Sequence, residues 1–165
     1  MAKRLQLREM LRVEKRGTVG GPYQSEKYPS NTRCPKCDLL YKDGLWKRVA
    51  RHNGTAQHWK LCPACMQIRD GQVGGIVQFS GTFAGSHRQE LLNRIRNVEK
   101  QTQEERPLER IIGMKENKDG IMVSATTEHL VARIGKAIQR DFGGKLSLKY
   151  APEDKFALAH WHRDG

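Results

Sequence analysis

Long apolar runs, catalytic motifs and cysteines are all scarce in this chain of 165 residues. No apolar stretch is long enough to cross a membrane. The first 17 residues are charged throughout and lack the apolar segment of a signal peptide. The segment Gly81–Gly85 lacks the lysine of a P-loop, and no paired carboxylates stand out on a helix face. We therefore expect a cytoplasmic protein that does not contact membranes and is not an enzyme.

Acidic residues are also in the minority, with 18 against 30 basic ones and a formal net charge of +12. The first 70 residues carry 15 basic and 6 acidic side chains, which is +9 of that total. A concentrated field of one sign suits a polyanion, because each Lys or Arg placed on a phosphate releases condensed counterions. A solvated basic surface is the competing interpretation. The cysteine motif that lies inside this region favours nucleic acid.

The four cysteines form two Cys-Pro-x-Cys pairs. Two intervening residues let a tight turn direct both sulfurs at one ion, and two such turns supply a tetrahedron of thiolates. That arrangement suits Zn²⁺ and leaves no position for water. Two disulfides, a redox-active pair or an iron–sulfur cluster are the alternatives, but the doubled motif in a reducing compartment favours zinc. The predicted ligands are Cys34, Cys37, Cys62 and Cys65.

Turn residues and periodicity divide the chain into three parts. Residues 1–33 form a basic flexible tail, since glycines and prolines interrupt a weak amphipathic stretch. Residues 34–75 form a zinc ribbon, with one hairpin around Asp43-Gly44 and a second turn over 52–55. Residues 76–165 form an α+β domain.

The α+β domain is predicted to run β-α-β-β-α-β-β. A capping box over Ser86–Gln89 is expected to open the first helix, which stops before Pro107. Thr126-Thr127-Glu128 is expected to cap the second helix. The predicted fold class is therefore α+β, a zinc ribbon followed by a small split βαβ (ferredoxin-like) domain with an extra strand.

Cations and aromatic rings are interleaved around the cysteines, as RNA phosphates and bases require. Trp46 and Trp59 each fit packing of the ribbon at least as well. In the second helix, Arg133, Lys136 and Arg140 form a basic stripe, for which a solvated face is the competing interpretation. His160 and His162 form either a metal pair or, more simply, surface histidines. The candidate RNA contacts are Lys3, Arg4, Arg8, Arg12, Lys15, Arg16, Arg33, Lys36, Lys47, Arg48, Arg51, His52, Trp59, Lys60, Arg69, Arg133, Lys136 and Arg140.

Several segments resemble a bacterial zinc-ribbon family of uncharacterised or ribosome-linked proteins that carries two Cys-Pro-x-Cys pairs. Besides the two pairs, the resemblance rests on Ile68–Asp70, Ser80–Phe83, His87–Glu90, Pro107–Ile111 and Thr126–Leu130. The chain is more distantly similar to the large-subunit export adaptor of the nonsense-mediated-decay type, but it has fewer cysteine pairs and a shorter body. This resemblance implies ribosomal RNA as a partner and does not imply an export role.

The sequence thus predicts a monomeric, non-enzymatic zinc protein that binds ribosomal RNA and associates with the ribosome. The ribosomes in question would be idle, stressed or assembling, and the C-terminal domain would dock on RNA or on a ribosomal protein. A zinc-ribbon DNA-binding or transcription-linked regulator is the alternative. An interaction adaptor that binds no nucleic acid is a third possibility.

Overall fold

Two small β-sheets and four helices make up the part of the chain that a computed structural model describes, namely residues 28–49, 56–118, 120–151 and 155–165. The protein is a mixed α+β structure, as the sequence predicts. Of the predicted basic tail (1–33), residues 1–27 lie outside the described residues, as does the predicted turn at 52–55, whereas Thr32–Arg33 form β1. None of the helices in these ranges is both long and apolar enough to cross a membrane.

In chain order the elements are β1 (Thr32–Arg33), β2 (Leu40–Lys42), β3 (Leu45–Lys47), β4 (His58–Trp59), α1 (Pro63–Asp70), β5 (Gly75–Ser80), α2 (Thr82–Ser86), α3 (Arg88–Glu105), β6 (Ile111–Asn117), β7 (Gly120–Ala125), α4 (Glu128–Phe142), β8 (Lys145–Ala151) and β9 (Phe156–His162).

The first sheet has the strand order β3-β2-β1-β4. The hairpin of β2 and β3 is confirmed, and Asp43 and Gly44 both have positive φ (54° and 77°), as a two-residue turn between twisted strands requires. Strand β4 pairs with β1 in parallel. Under this sheet, Tyr28, Leu39 and Trp46 are buried in a small cluster together with the cysteines. Trp46 therefore packs the sheet.

Helix α1 was not predicted from the sequence. Its N-cap is Cys62, whose Sγ accepts a hydrogen bond from the Cys65 backbone N–H, and Pro63 stands at the first helical position, where its missing N–H costs nothing. At the other end, Gly71 has φ 64° and donates backbone hydrogen bonds to Gln67 and Ile68 carbonyls. The second Cys-Pro-x-Cys pair is thus the first turn of a helix.

The second sheet has the strand order β6-β7-β5-β9-β8, in which β9 runs parallel to β5 and the other neighbours are antiparallel. Helices α3 and α4 pack on one face of it. The side chains of β5, β7 and β9 that point to this face form the main core, with Phe79, Val123 and Trp161 fully shielded from solvent or nearly so. The predicted element order is present, with the short helix α2 added before the first predicted helix, which is α3. The ferredoxin-like classification stays a prediction.

Of the two predicted helix starts in this domain, one is confirmed and one is wrong. Thr127 caps α4 as predicted, because its Oγ1 accepts a hydrogen bond from the Leu130 N–H at 3.1 Å. The capping box at Ser86 is wrong. Ser86 ends α2 and its hydroxyl donates back to the Thr82 carbonyl at 3.1 Å, while α3 begins after His87 without a side-chain cap. A serine in the last turn of a helix can bond the carbonyl four residues earlier, and this alternative prevails here.

Candidate metal centre

The four cysteine sulfurs converge on one point. Cys34 and Cys37 lie on a tight turn after β1, closed by hydrogen bonds from Cys34 N–H to the Leu39 carbonyl (2.9 Å) and from Asp38 N–H to the Cys34 carbonyl (3.0 Å). Cys62 and Cys65 occupy the first turn of α1. All four Sγ atoms lie within 4.8 Å of one another. Sulfurs bound tetrahedrally at the usual metal–sulfur length of about 2.3 Å would be about 3.8 Å apart, so small side-chain adjustments suffice to hold an ion.

Neither disulfides nor an open catalytic site fits this geometry. All four cysteines are free thiols, and the Sγ atoms of Cys37 and Cys62 are 3.6 Å apart, well beyond a sulfur–sulfur bond. Cys34, Cys62 and Cys65 are buried, and Cys37 is half-buried. Four thiolates complete a tetrahedral shell and leave no position for a reacting water. The cluster can therefore hold a metal ion in a closed, structural manner.

The thiols do not share one protonation state when no metal is bound. A hydrogen bond from the Cys62 thiol lowers the pKa of Cys37 to about 4, and the same bond, together with burial, raises the pKa of Cys62. Burial raises the pKa of Cys65 to about 11. Metal ligation requires thiolates, so an incoming ion must displace protons from Cys62 and Cys65. Metal binding is therefore coupled to proton release, and acid favours the metal-free state.

Arg110 completes the surroundings of the cluster, although it belongs to the segment that leads into β6. Its guanidinium donates to the sulfurs of Cys37 (3.1 Å) and Cys65 (3.2 Å) and, more weakly, to Cys62 (3.8 Å). Burial alone would lower the pKa of Arg110, but the hydrogen bonds and negative charge of these sulfurs outweigh burial and raise it. An ion with four thiolates carries about two negative charges if divalent. The buried guanidinium offsets one of them.

A short chain of hydrogen bonds holds Arg110 in place. Its Nε donates to the Pro107 carbonyl at 2.9 Å, and its backbone N–H donates to Thr126 Oγ1 at 3.0 Å. The Thr126 carbonyl in turn accepts from Gln67 of α1 at 3.0 Å. The ribbon is thus attached to the second sheet through the same residues that orient the guanidinium toward the sulfurs.

Sequence reasoning did not identify Arg110 as a residue of the site. Its contacts to Cys65 and Cys37 span 45 and 73 residues, so no local spacing could indicate them. The one available signal was its position inside Pro107–Ile111, a segment that contributes to the family resemblance.

The predicted RNA contacts fall into four groups. Arg33 is buried, with 5% of its surface exposed, and donates to the Asp38 carbonyl at 3.1 Å. Arg133 is half-buried and its guanidinium lies 3.5 Å from Thr102 Oγ1. The exposed members are Lys36, Lys47, Arg48, Trp59, Lys60, Arg69, Lys136 and Arg140. The members outside the described residues are Lys3, Arg4, Arg8, Arg12, Lys15, Arg16, Arg51 and His52.

The exposed cations lie on separate surfaces. Lys36, Lys47, Arg48 and Lys60 belong to the ribbon and its turns, close in sequence to the cysteines. Arg69 lies on α1 and forms an ion pair with Asp70. Lys136 and Arg140 lie on α4, and Arg140 pairs with Asp141. The exposed cations of the ribbon thus belong to the same small unit as the cysteines, and those of α4 lie on the helical side of the second sheet.

The fold and the site together define a mixed α+β protein with a four-cysteine cluster that could hold a metal ion. Within the described ranges, this is the one group of three or more cysteine, histidine or acidic side chains placed to share an ion. No protein-family model matches the sequence, and no curated protein or solved structure matches it either.

Proposed function

We propose that this protein is a non-enzymatic, zinc-bound RNA-binding protein whose partner is ribosomal RNA on idle, stressed or assembling ribosomes. The zinc ion would be held by Cys34, Cys37, Cys62 and Cys65, a ligand set typical of structural zinc. Its binding free energy would contribute directly to folding of the ribbon, whose own apolar cluster is small.

The observation that carries the proposal is the exposure of Trp59. The other tryptophan of the ribbon, Trp46, is 7% exposed and packs against Tyr28 and Tyr41, whereas Trp59 is 62% exposed on β4. An indole in water gives up the hydrophobic stabilisation that burial would supply. Flat aromatic faces that remain exposed beside cations are the platforms on which unpaired bases stack. Trp59 is flanked by His58 and Lys60, which are exposed as well.

The charge of the ribbon surface supports the same function. Lys36, Lys47, Arg48 and Lys60 are exposed around the buried cysteine cluster. A zinc ion with four thiolates adds about two negative charges to a protein of net charge +12, so the loaded protein stays strongly basic. These cations would contact phosphates while Trp59 stacks on a base. Arg33 is buried and paired, so we do not include it in this surface.

Replacing Trp59 by alanine tests the proposed contact. We expect the affinity for a labelled single-stranded fragment of ribosomal RNA to fall, because base–aromatic stacking contributes about 1–3 kcal/mol per base, which is roughly 5- to 150-fold in Kd. The measurement is fluorescence anisotropy with zinc-loaded protein at constant salt.

Leu45→Ala is the matched control. Leu45 is 61% exposed on β3 of the same sheet, so its removal takes away an equally exposed apolar side chain that has no π-face. If both variants bind RNA as the wild type does, Trp59 does not contact RNA. If duplex DNA displaces the bound RNA better than structured RNA does, the alternative function is favoured, namely a DNA-binding or transcription-linked regulator.

A further inference from the structure

Among the described residues, helices pack on only one face of the second sheet. Leu146 and Leu148 of β8 pack with the main core beneath α3 and α4. Successive residues of a strand point to opposite faces, so Lys145, Ser147 and Lys149 of the same strand lie on the other face, and all three are exposed. We call this side of the sheet the open face.

The strand register shows what the open face displays. Lys145 pairs with His162 of β9, which pairs in turn with Ser80 of β5. In the next row, Ser147 pairs with His160, which pairs with Gln78. The half-buried imidazoles therefore lie beside an exposed edge strand that carries two lysines.

A hydrogen-bond network fixes the two imidazoles. Ser80 Oγ lies 2.9 Å from both His160 Nε2 and His162 Nδ1, so the hydroxyl can accept from one ring while it donates to the other. His162 Nε2 lies 3.0 Å from the Asp164 carboxylate. The two rings are close to parallel, with an interplanar angle of 26° and centroids 6.3 Å apart. They form a small, ordered aromatic surface.

One part of the open face is a small apolar cluster around Ile76 and Phe156, and the charged side chains lie around it. Besides the two lysines of β8, the open face carries Lys115 on β6, which pairs with Met122 in the same row as Gln78. The neighbouring Glu116 points to the opposite face, where it pairs with Arg88. Asp164 lies just beyond β9, where the Thr82 N–H and His162 share its carboxylate. Among the described side chains, the face therefore carries three lysines and, at its end, one carboxylate.

We propose that the open face of the second sheet is a further RNA-binding surface, which binds a single strand. Lys145 and Lys149 would contact consecutive stretches of the phosphate backbone, and the rings of His160 and His162 would stack on bases. This rests on the proposed function, that the protein binds RNA, and adds a second surface remote in sequence from the ribbon. RNA is favoured over an acidic protein segment because only a nucleic acid uses both the cations and the ring faces.

The test uses the full-length, zinc-loaded protein and a fluorescein-labelled single-stranded RNA. The variant Lys145→Glu/Lys149→Glu should lower the affinity about ten-fold or more at low salt. The slope of log K against log salt should become shallower by about 1.4, because each phosphate contact on a single strand contributes about 0.7. The matched control is Arg96→Glu/Lys100→Glu, two exposed cations of α3 with the same change in net charge. Its slope should stay at the wild-type value.

Two further measurements separate the role of the rings from that of charge. His160→Ala should lower the affinity but leave the salt slope unchanged, because stacking releases no counterions. Thermal unfolding checks that each variant folds, and the neutral pair Lys145→Gln/Lys149→Gln replaces the glutamates if folding fails. Polyglutamate should compete weakly, and competition equal to that of RNA would overturn the proposal.

Failure of this inference is distinguishable from failure of the proposed function. Suppose that the wild type binds RNA and that Trp59→Ala weakens this binding. If Lys145→Glu/Lys149→Glu then has the same affinity and salt slope as Arg96→Glu/Lys100→Glu, the open face is not an RNA surface. If the wild type binds no RNA at any salt concentration, both proposals fall together.

Discussion

Arg110 and the four cysteines show how a metal cluster and its surroundings are built from distant residues. The sulfurs come from a turn and from the first turn of α1, while the guanidinium that bonds three of them comes from the segment that leads into β6 of the other sheet. Partners outside the ligand shell orient the ligands and tune their basicity. Arg110 is therefore a positioning residue for the cluster and also part of the attachment between the two halves.

Replacing Arg110 by alanine should weaken metal binding without removing a ligand. We expect the zinc affinity to fall about 10- to 100-fold, the usual cost of losing a partner outside the ligand shell, because the thiolate charge loses its buried counterion. Competition with a chromophoric chelator measures this affinity. Arg69→Ala is the control, since Arg69 is exposed on α1 and pairs with Asp70. Equal zinc retention by the two variants would show that Arg110 has no such role.

At the scale of helices and strands, the predictions that held depend on local chemistry. The Asp43-Gly44 turn requires positive φ at both residues, and Thr127 offers a hydroxyl to the first N–H groups of α4. Such signals are contained within four residues of sequence. The strands of the second sheet were likewise indicated by short apolar runs between turn residues.

The features that were missed had either ambiguous local signals or distant contacts. Helix α1 has few apolar positions, and its stability comes from the Cys62 cap and from the bond between Gln67 and the Thr126 carbonyl, 59 residues away. Ser86 could serve as a helix start or a helix end, and local sequence did not distinguish them. The ligands of the cluster were predictable because cysteine spacing is local within each pair. The role of Arg110 was not predictable, because its contacts join it to cysteines that are distant in the sequence.

The cap of α4 gives a stability prediction. Thr127→Ala removes the acceptor for the Leu130 N–H, a group that is buried in the folded protein. We expect a loss of about 1 kcal/mol in the free energy of unfolding, measured by urea denaturation of the zinc-loaded protein. Thr127→Ser keeps the hydroxyl and should stay close to the wild type. An alanine variant as stable as the serine variant would mean that the cap contributes nothing.

For the whole molecule, charge and metal connect the fold to the proposed function. The ribbon presents exposed cations and Trp59 around the cysteine cluster, and the second sheet presents lysines and imidazoles on its open face. Arg110 and the Gln67–Thr126 bond join the two halves. A metal ion that orders the cysteines would therefore also fix the relation between the ribbon and the second sheet. Loss of the metal should impair RNA binding as well as folding.

Sedimentation through a sucrose gradient at moderate salt tests the central claim most directly. Tagged wild-type protein from growing and from starved cells is compared with the Cys62→Ser variant, which lacks one ligand. We predict that the wild type sediments with ribosomal particles in at least one condition and that the variant shifts toward the top. Wild-type protein that stays at the top in both conditions would contradict ribosome association. A variant that sediments like the wild type would show that the metal cluster is not needed for it.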